Sequence, residues 1–388
     1  MKYKSISLFV LAHAATDLNQ GAIPILLPFF IAAHHVSYTA AAMVIFVTNL
    51  VSTFMQLFFG YIADRKPFRW MIPAAMVMAA LGVSLSGVAP TFNIALVCVA
   101  LSGLGFAAFH PEGAKLINQL AGEKKATGMS YFSVGGQLGF AVGPIFATAM
   151  LVPFGLKGTL SFGVPALVLA AVMVHTLKGI SIIDHRKHRT QDAQVTGKDA
   201  WGPFSFLAGA MLCRSVVFYG LNSFLPLYLI YVLHQSKATT GASLTVFVVA
   251  CMIGNLLGGR IADRLGLRVV VIAGFTLLAC LLPLLLVASS PALFVALFAP
   301  IGLVLSFPVS PMVVLGQKYL PNHIGLASGV TLGLALSFGG IMTPALGMIA
   351  DRHGLYATIS ILAVLPVICM CLSLALKREK QIEESKID

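Results

Sequence analysis

The sequence predicts an all-α integral membrane protein whose twelve transmembrane helices form two parallel six-helix pseudo-repeats. Of its 388 residues, 58% are hydrophobic and only 10% are charged, whereas a soluble domain carries roughly 25% charged residues. Apolar stretches of about 20 residues, long enough to cross a bilayer, recur from one end of the chain to the other. A polar loop motif also occurs twice, beginning at Gly60 and again 199 residues later at Gly259.

Twelve apolar stretches use nearly the whole chain and leave no room for a sizeable soluble domain. The first follows Lys2 and Lys4, as in a secretory signal peptide, but it is too long for one and no small-x-small cleavage site follows it. We therefore expect it to remain as a helix. The predicted stretches cover residues 6–31, 38–62, 70–89, 92–117, 127–152, 159–178, 204–233, 239–262, 269–288, 292–317, 325–349 and 355–376.

The net charge of +12 indicates topology rather than nucleic-acid binding. On the twelve-helix arrangement, one side of the membrane receives only Lys157, Lys237 and Arg352, and nearly all other Lys and Arg residues fall on the opposite side. This bias places both termini in the cytoplasm, with membrane lipids as partners of the basic charge. The six cysteines lie in apolar stretches without a CxxC spacing, so they predict buried side chains rather than a zinc or redox site.

The duplicated motif divides the chain into two halves. "GYIADRKPFR" covers residues 60–69 and "GRIADRLGLR" covers residues 259–268, each after an even-numbered helix on the cytoplasmic side. "ATGMS" from Ala126 and "ASGVT" from Ala327 repeat at a similar offset. We predict a first half at 1–180, a cytoplasmic linker at 181–203, a second half at 204–377 and a cytoplasmic tail at 378–388. Many secondary transporters consist of such halves around a midplane cavity.

These motifs resemble those of the major facilitator superfamily. The two loops match its loop signature, and "GGQLGFAVGP" at 135–144 resembles its antiporter motif. "HAATDLNQG" at 13–21, "FHPEGAKL" at 109–116 and "LGMIADRHG" at 346–354 are similar to the fosmidomycin-resistance branch of bacterial drug exporters. The resemblance implies the major facilitator fold, a monomer in the bacterial inner membrane, and export of a small-molecule substrate in exchange for protons.

The resemblance also implies that the duplicated loops and part of the antiporter motif gate the switching between conformations. The structural alternative is a topogenic role, in which Gly60 and Gly259 permit close packing at helix ends and each aspartate pairs with a neighbouring arginine. The third "IADR", ending at Arg352, falls on the outer side and predicts a helix terminus. The gating candidates are Gly60, Asp64, Arg65, Arg69, Gly259, Asp263, Arg264, Arg268, Gly143 and Pro144.

Charged groups inside the membrane are the candidates for proton coupling, because they are costly there unless they are paired or functional. Asp17 is the leading proton carrier, with His13 one turn away on the same helical face. Asp17, His110 and Arg214 all lie roughly 15 Å from the cytoplasmic surface by helix rise. The resemblance places their three helices around the central cavity, so we expect one shared site. The alternative for Asp17 is a packing hydrogen bond to His13.

His110 and Glu112 are further proton-coupling candidates, but they lie about 200° apart around a helix. Both can face one cavity only if Pro111 distorts the backbone. The alternative for Glu112 is an ion pair with Lys115 one turn later, whose amine would reach the cytoplasmic edge.

The candidates for substrate binding are the polar side chains within the apolar stretches. Arg214 carries planar paired donors suited to a phosphonate or carboxylate, and it could instead neutralise Asp17 or Glu112 between transport steps. For the amide side chains the alternative is hydrogen bonding between helices. The full set is Arg214, His13, Gln20, Gln137 and Asn222.

These observations predict a proton-coupled exporter of small anionic drugs such as fosmidomycin. The chain has no ATP-binding P-loop and no HExxH or GxSxG motif, so we expect no enzyme activity. We also expect no cofactor and no bound metal, and the proton gradient is the expected driving force. One alternative is an importer or facilitator of an organic anion. Another is a transporter of a divalent metal or metal chelate, with His13, Asp17, His110 and Glu112 as mixed nitrogen and oxygen ligands.

Overall fold

Helices form the regular secondary structure throughout the part of the chain described by a computed structural model, which confirms the all-α fold class. The described residues are 3–65, 70–121, 125–177, 199–288, 290–323, 326–327 and 329–377. The predicted tail and most of the predicted linker therefore lie outside them.

The first half of the chain contains six helices in these residues. Prolines 24, 28, 111 and 144 lie inside helices without ending them, so proline alone does not mark the helix ends here. The helices are α1 (Tyr3–His34), α2 (Tyr38–Arg65), α3 (Met71–Ser86), α4 (Phe92–Ala121), α5 (Lys125–Phe154) and α6 (Gly163–Leu177), with a 3₁₀ segment at Gly155–Phe162 before α6.

The second half begins with two long helices and continues with shorter pieces. Its helices are α7 (Trp201–Tyr231), α8 (Lys237–Leu265), α9 (Leu267–Leu281), α10 (Leu284–Val287), α11 (Pro291–Ala296), α12 (Phe298–Ser306), α13 (Val309–Tyr319), α14 (Ala335–Ile341) and α15 (Thr343–Leu374). A 3₁₀ turn at Pro321–His323 and a π-helical segment at Gly329–Leu334 lie between α13 and α14.

Eight stretches of the described residues are long and apolar enough to cross a membrane. These eight stretches correspond to ten of the twelve predicted helices, because Tyr131–Thr176 and Thr343–Leu374 each contain parts of two predicted helices. The remaining two are α1, which carries a buried histidine and aspartate in its middle, and α3, which has only 16 residues.

The last two predicted helices join without a loop inside α15. Gly354 has φ 82° and ψ 164° there, and the chain turns at this residue. The Thr358 hydroxyl donates a hydrogen bond to the Leu346 carbonyl at 3.3 Å, so the segment after Gly354 packs back along the one before it. The helix terminus predicted at Arg352 is therefore confirmed within two residues.

The described chain forms two compact units. The first comprises the described residues within Met1–Arg189 together with Lys237–Thr245, and the second those within Thr190–Ser236 and Val246–Asp388. In the first unit, Phe9 and Ile72 belong to a buried apolar cluster with residues of α4 and α5; in the second, Leu207 and Phe275 belong to another with residues of α13 and α15.

Glycines bring helices into close contact along α5 and α8. A Cβ on Gly143 would lie 2.6 Å from the Leu18 carbonyl oxygen of α1, and Gly254 and Gly258 of α8 abut the backbone carbonyls of Leu303 and Phe307.

The alternative role considered for Gly60 and Gly259, close packing at a helix end, is not seen among the described residues. A Cβ on Gly60 would have its nearest neighbour at 4.0 Å and one on Gly259 at 3.7 Å, which are ordinary contacts. Neither glycine is required by crowding at its helix end.

Candidate functional site

Two side chains of α1 belong to the candidate site. His13 and Asp17 are one turn apart on the same face of the helix, and His13 Nε2 lies 3.1 Å from Asp17 Oδ2. Both are buried, with 6% of His13 and 9% of Asp17 exposed. The predicted contact between them is therefore present.

A second imidazole reaches the same carboxylate from α4. His110 Nε2 lies 3.3 Å from Asp17 Oδ1, so each carboxylate oxygen faces one histidine. The two imidazole rings meet edge to face, with centroids 5.2 Å apart. We call this group, made of His13, Asp17 and His110, the His–Asp–His cluster.

The other ring nitrogen of each histidine is held by a backbone carbonyl. His13 Nδ1 lies 2.7 Å from the Phe132 oxygen of α5, and His110 Nδ1 lies 2.7 Å from the Phe106 oxygen one turn earlier in α4. A carbonyl oxygen can only accept, so Nδ1 carries the proton in both rings. This hydrogen bonding assigns the tautomer and aims both Nε2 atoms at Asp17.

Apolar rings and one glycine enclose the cluster. Phe132 stacks on the His13 ring at 4.0 Å, and Phe109 lies 5.6 Å from the same ring. A Cβ on Gly136 of α5 would come within 2.6 Å of His13 Nε2 and 2.7 Å of Asp17 Oδ2. The absence of a side chain at Gly136 therefore makes the space in which the cluster forms.

The cluster is compact enough for a small cation. One nitrogen or oxygen from each of its three residues lies within 4.8 Å of the others, and in the described residues this is the one such group of histidine, cysteine or carboxylate side chains. The same geometry suits two protons instead of a metal ion, each forming an N–H···O hydrogen bond from a histidine Nε2 to an Asp17 oxygen. Glu112, the fourth residue of the predicted mixed-ligand set, is not part of the group.

The structure separates His110 from Glu112. The α4 helix continues through Pro111, so the turn of about 200° between the two side chains is kept. His110 contacts Asp17, while Glu112 is fully buried elsewhere on the helix. The proposed distortion at Pro111, which would have turned both toward one cavity, is not needed for His110 to reach Asp17.

Arg214 belongs to the second unit and is also buried, with 5% exposed. Its Nε–H donates to the Leu305 carbonyl at 3.0 Å, near the end of α12, where carbonyls lack helical partners. The guanidinium also lies 5.7 Å from the centre of the Phe218 ring. A site shared by Arg214 and Asp17 stays a prediction.

Two of the three predicted amide side chains present a buried oxygen without a hydrogen bond. Gln137 Oε1 and Asn222 Oδ1 have no partner among the described residues, and Asn222 is 2% exposed. Those oxygens do not join helices, which favours the ligand-binding interpretation. Gln20 is half-buried on α1.

The gating residues are only partly within the described structure. Arg69 and the side chains of Asp64 and Arg65 lie outside it. In the second loop Asp263 and Arg264 are exposed. The gating roles, including those of Gly143 and Pro144, stay predictions.

Arg268 ends the second loop motif and has a structural partner that the sequence did not indicate. It donates from Nε to the Leu376 carbonyl at 2.6 Å and from Nη2 to the Leu374 carbonyl at 3.0 Å. It therefore satisfies free carbonyls where α15 ends.

Asp199, just before α7, is a second residue that sequence reasoning missed. It accepts from the Asn322 backbone N–H at 3.1 Å and contacts His323 Nδ1 at 2.7 Å. Desolvation by itself would raise the pKa of Asp199, but these hydrogen bonds outweigh it and the pKa lies below its usual value. The contacts tie the start of α7 to the turn after α13.

Known proteins are similar to this chain over almost its whole length. The MFS-type transporter YfnC of Bacillus subtilis is 30% identical over 375 residues, which cover 94% of this chain and 91% of YfnC. The Fosmidomycin resistance protein of Escherichia coli is 28% identical over 365 residues, which cover 93% of this chain and 89% of that protein. The similarity to the fosmidomycin-resistance branch is thereby confirmed.

Solved transporters share the fold. A bacterial homologue of the human lysosomal transporter Spinster, in an inward-facing and occupied conformation, has a TM-score of 0.85 at 14% identity and covers 100% of this chain and 98% of its own. The nucleoside transporter NupG has a TM-score of 0.72 at 16% identity and covers 97% of this chain and 98% of its own. At these identities the likeness concerns the fold alone.

The sequence profile of the Major Facilitator Superfamily matches residues 9–344 and again 207–387. Its members are multi-pass membrane transporters rather than enzymes, in agreement with the apolar helices described above. By sequence and by fold, this chain belongs to the Major Facilitator Superfamily.

Proposed function

We propose that the protein is a proton-coupled secondary transporter that exports small anionic drugs, such as fosmidomycin, by alternating access. It works in the bacterial inner membrane with both termini in the cytoplasm. The observation that carries substrate and direction is the similarity to the Fosmidomycin resistance protein, which extends over 93% of this chain.

The buried carboxylate of Asp17 supports the coupling to protons. A carboxylate and two imidazoles in direct contact can bind and release protons, and apolar rings surround them. An ionisable group in this position within a membrane is costly, and such groups characteristically serve as proton relays in transporters. Asp17 takes a proton from the outer side and releases it to the cytoplasm as the drug leaves.

Arg214 supports an anionic substrate. Its guanidinium is permanently charged, and a buried cation is costly unless an anion or several hydrogen bonds offset it. Since the Leu305 carbonyl accepts from Nε, the planar Nη groups are positioned to bind a phosphonate or carboxylate through paired donors. The buried Asn222 oxygen, on the same helix, would accept from a donor of the substrate.

An efflux assay in cells tests this function. The protein is expressed in a bacterium that lacks its own fosmidomycin exporter, and both growth inhibition and accumulated drug are measured. We expect wild type to lower accumulation and Asp17→Asn to abolish the effect at equal membrane abundance. Asp351→Asn, which alters an exposed carboxylate, is the matched control and keeps export. Raised accumulation with wild type would indicate import, and undiminished efflux by Asp17→Asn would remove Asp17 from the mechanism.

A further inference from the structure

The His–Asp–His cluster contains two close nitrogen–oxygen contacts. A carboxylate that carried a single proton alone would need neither contact. We propose that the cluster takes up two protons in each transport cycle, one at each contact, so that His13 and His110 carry protons together with Asp17. The proposal rests on the proton coupling proposed above and assigns its stoichiometry.

The fixed tautomers lead to this count. Each Nδ1–H is donated to a backbone carbonyl, so a neutral ring turns the lone pair of Nε2 toward Asp17. An ionised carboxylate also presents only lone pairs. At 3.1 and 3.3 Å, a contact between two lone pairs is repulsive. A proton in the contact converts it into a charge-assisted hydrogen bond.

Counting protons distinguishes the possible states of the cluster. Without added protons, its charge is −1 and both contacts are repulsive. One added proton brings the charge to zero and relieves one contact. A second brings the charge to +1 and relieves the other. The observed approach of both Nε2 atoms to one carboxylate is therefore the two-proton arrangement, and release of both protons to water restores the charge of −1.

The two contacts differ, which gives an order of release. The His110 side chain is 26% exposed, against 8% for His13. The His110 contact is also the longer one, and Asp17 Oδ1 has no well-aligned hydrogen bond among the described residues. His110 therefore exchanges its proton with water first, and His13 exchanges through Asp17.

Other titratable groups on the packed helices do not supply this proton pair. The α5 helix faces the cluster with Phe132 and Gly136, neither of which titrates. On α4, Glu112 is not part of the cluster, and Lys115 lies one turn further along. The remaining titratable side chains of the described parts of α2 to α6 are Tyr38, Tyr61, Cys98, Tyr131 and His175.

Nuclear magnetic resonance of protein labelled with ¹⁵N-histidine tests the proton count without any drug. The signals of His13 and His110 are assigned by their loss in His13→Gln and His110→Gln. We expect both rings to be neutral with the proton on Nδ1 in alkaline solution and both to become imidazolium on acidification. Acidification that charges only one of the two rings would overturn the proposal. The same holds if added EDTA shifts these signals, because a bound metal ion would then occupy the contacts.

Proton release on drug binding provides the functional count. Purified protein in weakly buffered detergent receives fosmidomycin, and the released protons are measured per drug bound. We expect two for wild type and two for the control His353→Gln, an exposed histidine. His13→Gln and His110→Gln should each release one, because a glutamine amide donates to Asp17 without binding a proton.

The two measurements separate the possible failures. One proton from wild type, or two from His13→Gln, contradicts the stoichiometry. If fosmidomycin does not bind at all, the proposed substrate fails while the resonance experiment still decides the proton count. His13→Asn keeps a donor for the Phe132 carbonyl and replaces His13→Gln if that variant does not fold.

Discussion

Gly136 is the position where the α5 backbone reaches the reactive atoms of the His–Asp–His cluster. A Cβ there would lie 2.6 Å from His13 Nε2 and 2.7 Å from Asp17 Oδ2, and real Cβ atoms essentially never come so close. The neighbouring Gly135 and Gly139 abut backbone atoms of α1 instead. Among these three glycines, Gly136 is therefore the one that directly adjoins the side chains of the cluster.

Gly136→Ala should consequently abolish export while the protein still reaches the membrane. The added methyl group pushes the imidazole and carboxylate apart, and overpacking of this kind costs about 1–3 kcal/mol. Fosmidomycin efflux and thermal stability in detergent are the measurements. Gly209→Ala serves as the control, because its Cβ would meet only the end of a Leu372 side chain at 3.4 Å. Full efflux by Gly136→Ala would contradict the idea that the cluster geometry matters.

Sequence reasoning could predict part of this site. The pairing of His13 with Asp17 follows from a spacing of four residues on one helix. The shared depth of Asp17 and His110 predicted a common site, but the direct contact of His110 Nε2 with the carboxylate could not be predicted, because it depends on how α4 packs against α1. The carbonyl partners of both histidines could not be predicted either, since backbone atoms carry no residue signature. Those partners are the contacts that fix the tautomers and thereby the proton count.

At the scale of elements, hydropathy predicted where helices occur but not where they break. Pro283 and Pro308 precede new helices at α10 and α13, whereas Pro111 and Pro226 lie inside α4 and α7. A proline removes one backbone donor in every case. Whether the helix ends there also depends on the packing around the proline, and the sequence of one segment does not contain that information.

Gly354 is the element boundary with the clearest local cause. Its φ of 82° with ψ of 164° lies in a region populated essentially by glycine, where another residue costs about 1–3 kcal/mol. We expect Gly354→Ala to lower the midpoint of thermal unfolding in detergent. Gly202→Ala is the matched control, since both sites have open space around the added methyl group and Gly202 is in a helix. An equal effect of both substitutions would show that the backbone angle is not the cause.

At the scale of the whole molecule, the distribution of basic residues predicts the orientation of the chain in the membrane. Lys157, Lys237 and Arg352 are the basic residues assigned to the outer side, and the cytoplasmic loops of membrane proteins carry the excess of Lys and Arg. We predict that the two halves share one orientation, because each has its loop motif after an even-numbered helix. Parallel halves of this kind are one of the two repeat arrangements from which secondary transporters with alternating access are built.

Reporter fusions test this orientation directly. Because we predict a cytoplasmic C-terminus, green fluorescent protein fused after Asp388 should fluoresce, and alkaline phosphatase at the same point should be inactive. Alkaline phosphatase fused after Gln235, between α7 and α8, should be active outside. The opposite pattern at both points would contradict the predicted topology.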